Sequence, residues 1–209
     1  MKKNKNLIAL IAILVLVIAV AYVMYGKLAA GYQPNALTVT TATPEPAPVA
    51  SEAPDKSPAP EEETQTEEEP ALAPDFTVYD AEGNTVHLSD FIGTPVVLNF
   101  WASWCGPCTS EMPTFDEKYS QLEGQVQFLM VNLTDGSRET VEGASNFIES
   151  CGYTFPIYFD SSFSAAMAYG VSSIPASYFI GADGSPVAYA LGALDADTLQ
   201  KGIDMIYSP

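Results

Sequence analysis

The chain has 209 residues and a formal net charge of −18, from 26 acidic and 8 basic side chains. That length holds one ordinary domain plus attachments rather than two full domains, and three cysteines are too few for a disulfide scaffold. The acidic balance argues against nucleic acid and against close adhesion to anionic lipid, because like charges repel.

Residues 1–6, with Lys2, Lys3 and Lys5, form a basic start. Leu7–Tyr25 then runs nineteen residues without a charge. As a helix this spans about 28 Å, close to the hydrocarbon thickness of a bilayer. A removed signal peptide would have a shorter core, and Ala29-Ala30-Gly31 makes only a weak cleavage site, so the reading is an uncleaved anchor. The lysines precede the span and only Lys27 closely follows it. The positive-inside bias therefore predicts a single-pass protein with a cytoplasmic N-terminus and the remainder outside the cell membrane. Residues 26–74 read as a linker. Between Pro34 and Pro74 lie nine of the sixteen prolines, two runs of three glutamates and few large apolar residues. Such a stretch cannot bury enough surface to offset its ordering entropy and is expected to be disordered, either a tether of defined reach or a plain spacer.

Residues 75–209 read as one α/β domain carrying a charge of −14, with Lys118, Arg138 and Lys201 its only lysines and arginine. Phe76–Tyr79 and Thr85–Leu88 flank a turn, which predicts a hairpin, and Ser89-Asp90 can cap a short helical turn. Pro95–Phe100 is too uniformly apolar for a half-exposed strand and is expected at the centre of a covered sheet. A helix from Cys105 to Leu122 follows, bent by Pro113. Val126–Leu133 is a strand, Arg138–Cys151 a helix, Ile157–Phe159 a strand and Ser164–Tyr169 a short helix. Ser177–Ile180 and Val187–Leu191 form a second hairpin, and Asp195 caps a closing helix through Ile206. This order implies a mixed central sheet with helices on both faces and an N-terminal hairpin extension.

The chemistry centres on Cys105-Gly106-Pro107-Cys108, between a buried strand and a helix. A helix starting at Cys105 offers free N–H groups and the positive end of its dipole, which favour a thiolate there. Cys108 falls one turn later on the same face, in reach of a mixed disulfide at Cys105. Pro107 suits the first turn, where its missing N–H costs nothing. As a structural staple the pair would close too short a loop to restrain much unfolded-chain entropy. As half of a zinc site it would have only Cys151 and His87 for partners, with no second paired motif. Cys151 shares a helical stripe with Val141, Ala144 and Ile148 and reads as a buried small hydrophobe rather than a resolving thiol. His87 falls on the outer face of a strand and is given no role.

Asn99-Phe100-Trp101-Ala102-Ser103-Trp104-Cys105-Gly106-Pro107-Cys108, with Glu111-Met112-Pro113 and Ile174-Pro175, resembles the thioredoxin fold. In particular it resembles the membrane-anchored TlpA/ResA-like thiol-disulfide oxidoreductases, relatives of the AhpC/TSA redoxins. Ala73-Pro74-Asp75-Phe76 and Leu88-Ser89-Asp90-Phe91 are also similar, so the likeness spans residues 73–207. It implies that Cys105 is the exposed nucleophile, Cys108 the resolving thiol, Trp104 a shield for the pair and Pro175 a cis proline beside it. A cis Ile174–Pro175 bond would leave the Ile174 backbone free to pair with an extended substrate strand; the alternative is a trans proline in a turn.

Glu111 follows Cys108 by three residues, and Asn99 stands where thioredoxin has an aspartate. The likeness makes Glu111 a tuner of the cysteines and a proton relay, against the alternative of a surface glutamate favoured by the helix dipole. The implied activity is reduction of disulfides in exported proteins; the haem-attachment cysteines of apocytochromes, other exported thiols and a sulfoxide-reducing partner are all compatible substrates. No cofactor is implied beyond the redox-active Cys105–Cys108 disulfide, and the electron donor would be a transmembrane protein. Two alternatives stay open. One is a thiol peroxidase, although Ala102 stands where a peroxide site needs a hydroxyl and no suitable arginine follows nearby. The other is a non-catalytic tethered binding module.

Overall fold

The computed structural model describes residues 36–40, 71–122 and 124–208. The apolar run Leu7–Tyr25 and most of the Pro/Glu-rich stretch lie outside them. Among the described residues, no helix is long and apolar enough to cross a membrane.

The sheet is built outward from its most apolar strand. β4 (Val96–Trp101) is buried at every position, and it pairs in parallel with β5 (Gln127–Asn132) on one side and antiparallel with β7 (Ala176–Ile180) on the other. β5 pairs in parallel with β6 (Ile157–Phe159), and β7 antiparallel with β8 (Pro186–Leu191). At one edge the hairpin of β2 (Thr77–Tyr79) and β3 (Thr85–His87) joins β6 through Tyr79 opposite Phe159. At the other edge lies β1 (Thr38–Val39), so the strand order is β1-β8-β7-β4-β5-β6-β2-β3.

Because side chains alternate along a strand, β4 and β5 feed two separate cores. Val97, Trp101, Phe128 and Met130 pack with residues of α1 (Gly106–Gln121), α2 (Val141–Cys151) and α4 (Ala196–Ile206) on one face. Leu98, Phe100, Leu129 and Val131 pack on the other, with Ala165 of α3 (Ser164–Ala168) and the N-terminal Phe76 and Val78. Parallel pairs need crossovers, and α1 and α2 supply them. Asp195 caps α4 as its sequence implies, accepting from the Thr198 N–H at 2.8 Å, and at the start of α2 Thr140 Oγ1 accepts from the Gly143 N–H at 3.0 Å. α1 continues through Pro113 to Gln121. The turn after β3 is a 3-10 helix, Leu88–Phe91, in which Asp90 accepts from the His87 N–H at 2.8 Å. His87 itself is half-buried, its Nδ1 lying 3.2 Å from the Thr77 hydroxyl.

Two expectations are corrected here. Thr38 and Val39, inside the stretch read as disordered linker, pair with Tyr189 and Ala188, and the Thr40 N–H donates to the Val187 carbonyl at 2.9 Å. Ala36-Leu37-Thr38-Val39-Thr40 contains neither proline nor acid, and the half-buried Leu37 packs on the core. Average composition concealed a short strand-forming segment. The second correction is Cys151, which is exposed, as is Val141 at the other end of α2; only Ala144 and Ile148 of the predicted stripe are buried. Periodicity sets the direction of a side chain around the helix axis. It does not say how far along that axis the neighbouring layer extends.

α4 approaches β7 closely at Gly202, where a Cβ would stand 2.6 Å from Cε2 of Phe179 and nearer still to Cζ and Cε1. Alanine in a helix interior is normally favoured over glycine by about 1 kcal/mol. Overpacking a core costs about 1–3 kcal/mol, and here three ring atoms block the site. Gly202→Ala is therefore expected to destabilise the domain by about 2 kcal/mol in urea unfolding despite its better helix propensity.

Candidate active site

β4 ends at Trp101, and the chain turns through Ala102-Ser103-Trp104 before α1 begins. The Cys105 N–H donates to the Ala102 carbonyl at 3.1 Å, closing that turn. Cys105 is the N-cap residue of α1, and its Sγ accepts from the Cys108 N–H at 3.2 Å. The two sulfurs form a disulfide with Cα atoms 5.2 Å apart.

The register of β7 against β4, with Phe100 opposite Ala176, brings Ile174-Pro175 to the same end of the sheet. Pro175 is buried, the Ile174–Pro175 bond is cis, and Cys105 Sγ lies 3.8 Å from the Ile174 carbonyl oxygen. Trp104 and Ile174 share the wall of a shallow cleft with Leu133, Phe163 and Val171. Every residue expected around the cysteine pair is thus at this end of the sheet. One expectation needs correcting: Cys105 is not broadly exposed. In the disulfide form it keeps 6% of its surface, against none for Cys108, while Trp104 keeps 43%. The Ile174 carbonyl oxygen lies against the sulfur, and only a small part of the residue reaches solvent.

Glu111 is 2% exposed, so the surface alternative fails. Its Oε1 accepts from Asn99 Nδ2 at 2.9 Å and its Oε2 from the Leu194 N–H at 2.7 Å. Asn99 also donates to Ser177 Oγ at 3.0 Å, across the β4–β7 pair, while its side-chain Oδ1 is buried without a partner. Desolvation pushes the Glu111 carboxyl up to about 7, against the opposing pull of the Leu194 and Asn99 donors.

Other contacts had no counterpart in the sequence reading. Asp135 gathers the N–H groups of Glu139, Ser137 and Arg138, which hold its carboxyl down to about 2. This turn aims Arg138 across the site, with its guanidinium carbon 3.7 Å from the Trp104 ring centroid. The sequence had appeared to offer no arginine near the cysteines. The fold supplies one from thirty residues downstream, although Ala102, three residues before Cys105, still carries no hydroxyl. The residues between Leu133 and Arg138 carried no expectation from sequence, and nothing local marked where their side chains would point.

Residues 71–188 match the AhpC/TSA family. The chain belongs to that family. The thiol-disulfide oxidoreductase ResA of Geobacillus thermodenitrificans is 35% identical over 135 residues, which cover 64% of this chain and 75% of that protein. Among solved structures, StoA from Bacillus subtilis matches with a TM-score of 0.54 and 29% identity, covering 64% of this chain and 98% of that one. The pneumococcal exposed lipoprotein thioredoxin Etrx1 matches with a TM-score of 0.55 and 30% identity, covering 62% and 98% respectively. This AhpC/TSA member is a thiol-disulfide oxidoreductase with a thioredoxin-like fold, related to ResA as the sequence had implied.

The raised Glu111 carboxyl has a stability consequence of definite sign. Its folded value, about 7, lies above its ordinary 4.5, so the folded state holds the proton more tightly than the unfolded chain does. This contribution is fully present below about pH 4.5 and is lost as pH rises through about 7. The stability of Glu111→Gln relative to wild type should therefore grow by about 3 kcal/mol between pH 4.5 and 8, measured by urea unfolding of the oxidised protein. A pH-independent difference would show that Glu111 does not titrate in that window.

Proposed function

We propose that the protein is a membrane-tethered, extracytoplasmic protein-disulfide reductase acting on exported proteins. The observation that carries this reading is the Cys105 sulfur at the N-cap of α1, accepting from the Cys108 N–H, with the resolving sulfur buried behind it. In the reduced protein the Cys105 thiolate attacks one sulfur of a partner disulfide, forming a mixed disulfide and releasing the partner's other sulfur as a thiolate. Cys108, once deprotonated, attacks Cys105 Sγ. This re-forms the Cys105–Cys108 disulfide and releases the second partner thiolate, so the partner gains two electrons and the enzyme loses two. Protons taken up by the partner thiolates complete the balance.

The Gly106-Pro107 insert, which resembles that of reducing members, supports the direction. Each turnover consumes one dithiol, so in an oxidising compartment a transmembrane protein must return two electrons. Leu7–Tyr25 supports tethering, and the lysines before it support an external domain. Trp104, Ile174 and Pro175 border the opening through which a partner strand would reach Cys105. Glu111, titrating about neutrality on the cysteine-bearing helix, supports the proton-relay role.

The reduced full-length chain is expected to reduce insulin disulfides, with activity falling to background in Cys105→Ser. Cys108→Ala should accumulate a mixed disulfide, and its attached protein identifies the substrate. Glu111→Gln should alter the pH dependence of insulin reduction. Peroxide consumption above background without insulin reduction would instead establish the peroxidase reading. In cells the chain should fractionate with membranes and be cleaved by protease added outside.

A further inference from the structure

Ser103 stands two residues before Cys105, and both of its hydrogen-bond donors end on one side chain. The Ser103 N–H donates to Glu139 Oε1 at 2.8 Å and its hydroxyl to Oε2 at 2.7 Å. Asn132, the last residue of β5, donates its side-chain amide to Oε1 at 2.6 Å, while its Oδ1 accepts from the Thr134 hydroxyl at 2.8 Å. Glu139 is 2% exposed. A carboxylate is buried at this depth only when donors replace water around it, and the loop ahead of the nucleophile supplies two of the three found here.

Glu139 is also firmly placed. Its N–H donates to Asp135 at 3.0 Å, and its carbonyl accepts from the Gly136 N–H at 2.9 Å. Its neighbour Arg138 covers Trp104. Adjacent residues of one loop thus grip Ser103 and Trp104, the two residues before Cys105.

In the oxidised protein the S–S bond itself holds Cys105 against α1. Reduction removes that bond. The turn from Ala102 to Cys105 then depends on the Cys105 N–H to Ala102 contact and on the grip at Ser103. We infer that Glu139 is a positioning residue, which keeps the reduced Cys105 sulfur where the Cys108 N–H and the start of α1 can stabilise its thiolate. It acts through hydrogen bonds to Ser103 rather than through its charge. A glutamine there keeps an oxygen for the Ser103 and Asn132 donors, and its amide can donate to a Ser103 hydroxyl that has turned to accept. An alanine keeps none of these contacts. The inference rests on Cys105 being the attacking thiol, not on the direction of exchange or on the substrate.

The test follows the alkylation of Cys105 by iodoacetamide against pH, resolved by site with mass spectrometry. It uses the reduced full-length chain in detergent and a Cys151→Ser background, because Cys151 is exposed and would react. Glu111 and Asp135 carboxyls and the Arg138 guanidinium, the other charged groups around the cysteine pair and its loop, are common to all variants; Glu139→Ala and Glu139→Gln both lack the Glu139 carboxyl, so the difference between those two reports the grip, and Ser103→Ala reports it with that carboxyl in place. Glu139→Ala should move the Cys105 midpoint upward by about half a pH unit or more, roughly a threefold loss of thiolate below the midpoint. Ser103→Ala should move it in the same direction by less, and Glu139→Gln should restore the wild-type midpoint. If Glu139→Ala does not fold, Ser103→Ala decides. An unshifted midpoint in Ser103→Ala, or a downward shift in Glu139→Gln, overturns the inference. Failure of insulin reduction in the wild type would count against the proposed function and leave these midpoints interpretable.

Discussion

A sulfur caps a helix in this protein, where an oxygen usually does. The first N–H groups of α1 have no partner within the helix, and the side chain of Cys105 accepts one of them. That interaction is favoured more by a negative sulfur than by a neutral one, so the same contact that starts the helix favours a thiolate at Cys105. The rest of the fold brings other groups to this point. β4 is buried on both faces and carries the start of α1 to one end of the sheet, and its antiparallel neighbour β7 delivers Ile174 and Pro175 to the same end. Cys108, one turn into α1, is sealed from solvent, while Cys105 keeps 6% of its surface.

Two buried carboxyl groups flank this arrangement, and they differ in what they hold. Glu111, on the buried side of α1, has one donor from β4 and one from the Leu194 backbone; these do not outweigh its desolvation, and its proton is retained toward neutral pH. Glu139 lies beneath the loop before Cys105, where two of its three donors come from Ser103. Glu111 is held by donors too few to keep it ionised through neutrality, and Glu139 accepts both hydrogen-bond donors of Ser103. Around both, the exposed surface of the domain is acidic, and Arg138 spreads its positive charge over the face of Trp104 at the entrance.

The local features of the chain were legible before any coordinates. A largely apolar run, broken only by Asn99, reads as a central strand because only a strand covered on both faces accommodates it. The two cysteines, the proline between them and the following helix lie within a few residues of one another, so spacing alone fixes their relation. Pro175 was reached through resemblance, since nothing in its neighbourhood demanded a cis bond. Glu111 was singled out by its place on the helix, yet its burial was undecided, because a helix start attracts acids to the surface as well. Cys151 shows the limit of periodicity: the stripe it shares is buried at Ala144 and Ile148 but exposed at Val141 and Cys151, the two ends of α2.

The sequence by itself therefore determined the strand, the helix and the dithiol between them, because each depends on residues that are neighbours in the chain. Tertiary structure decided the rest. The Leu194 N–H lies 83 residues from Glu111, and Glu139 lies 36 residues from Ser103. Glu111 is buried and Ser103 is held because hydrogen-bond partners distant in sequence meet at one end of the sheet. Residue spacing carries no record of that meeting, since strand order and register alone create it.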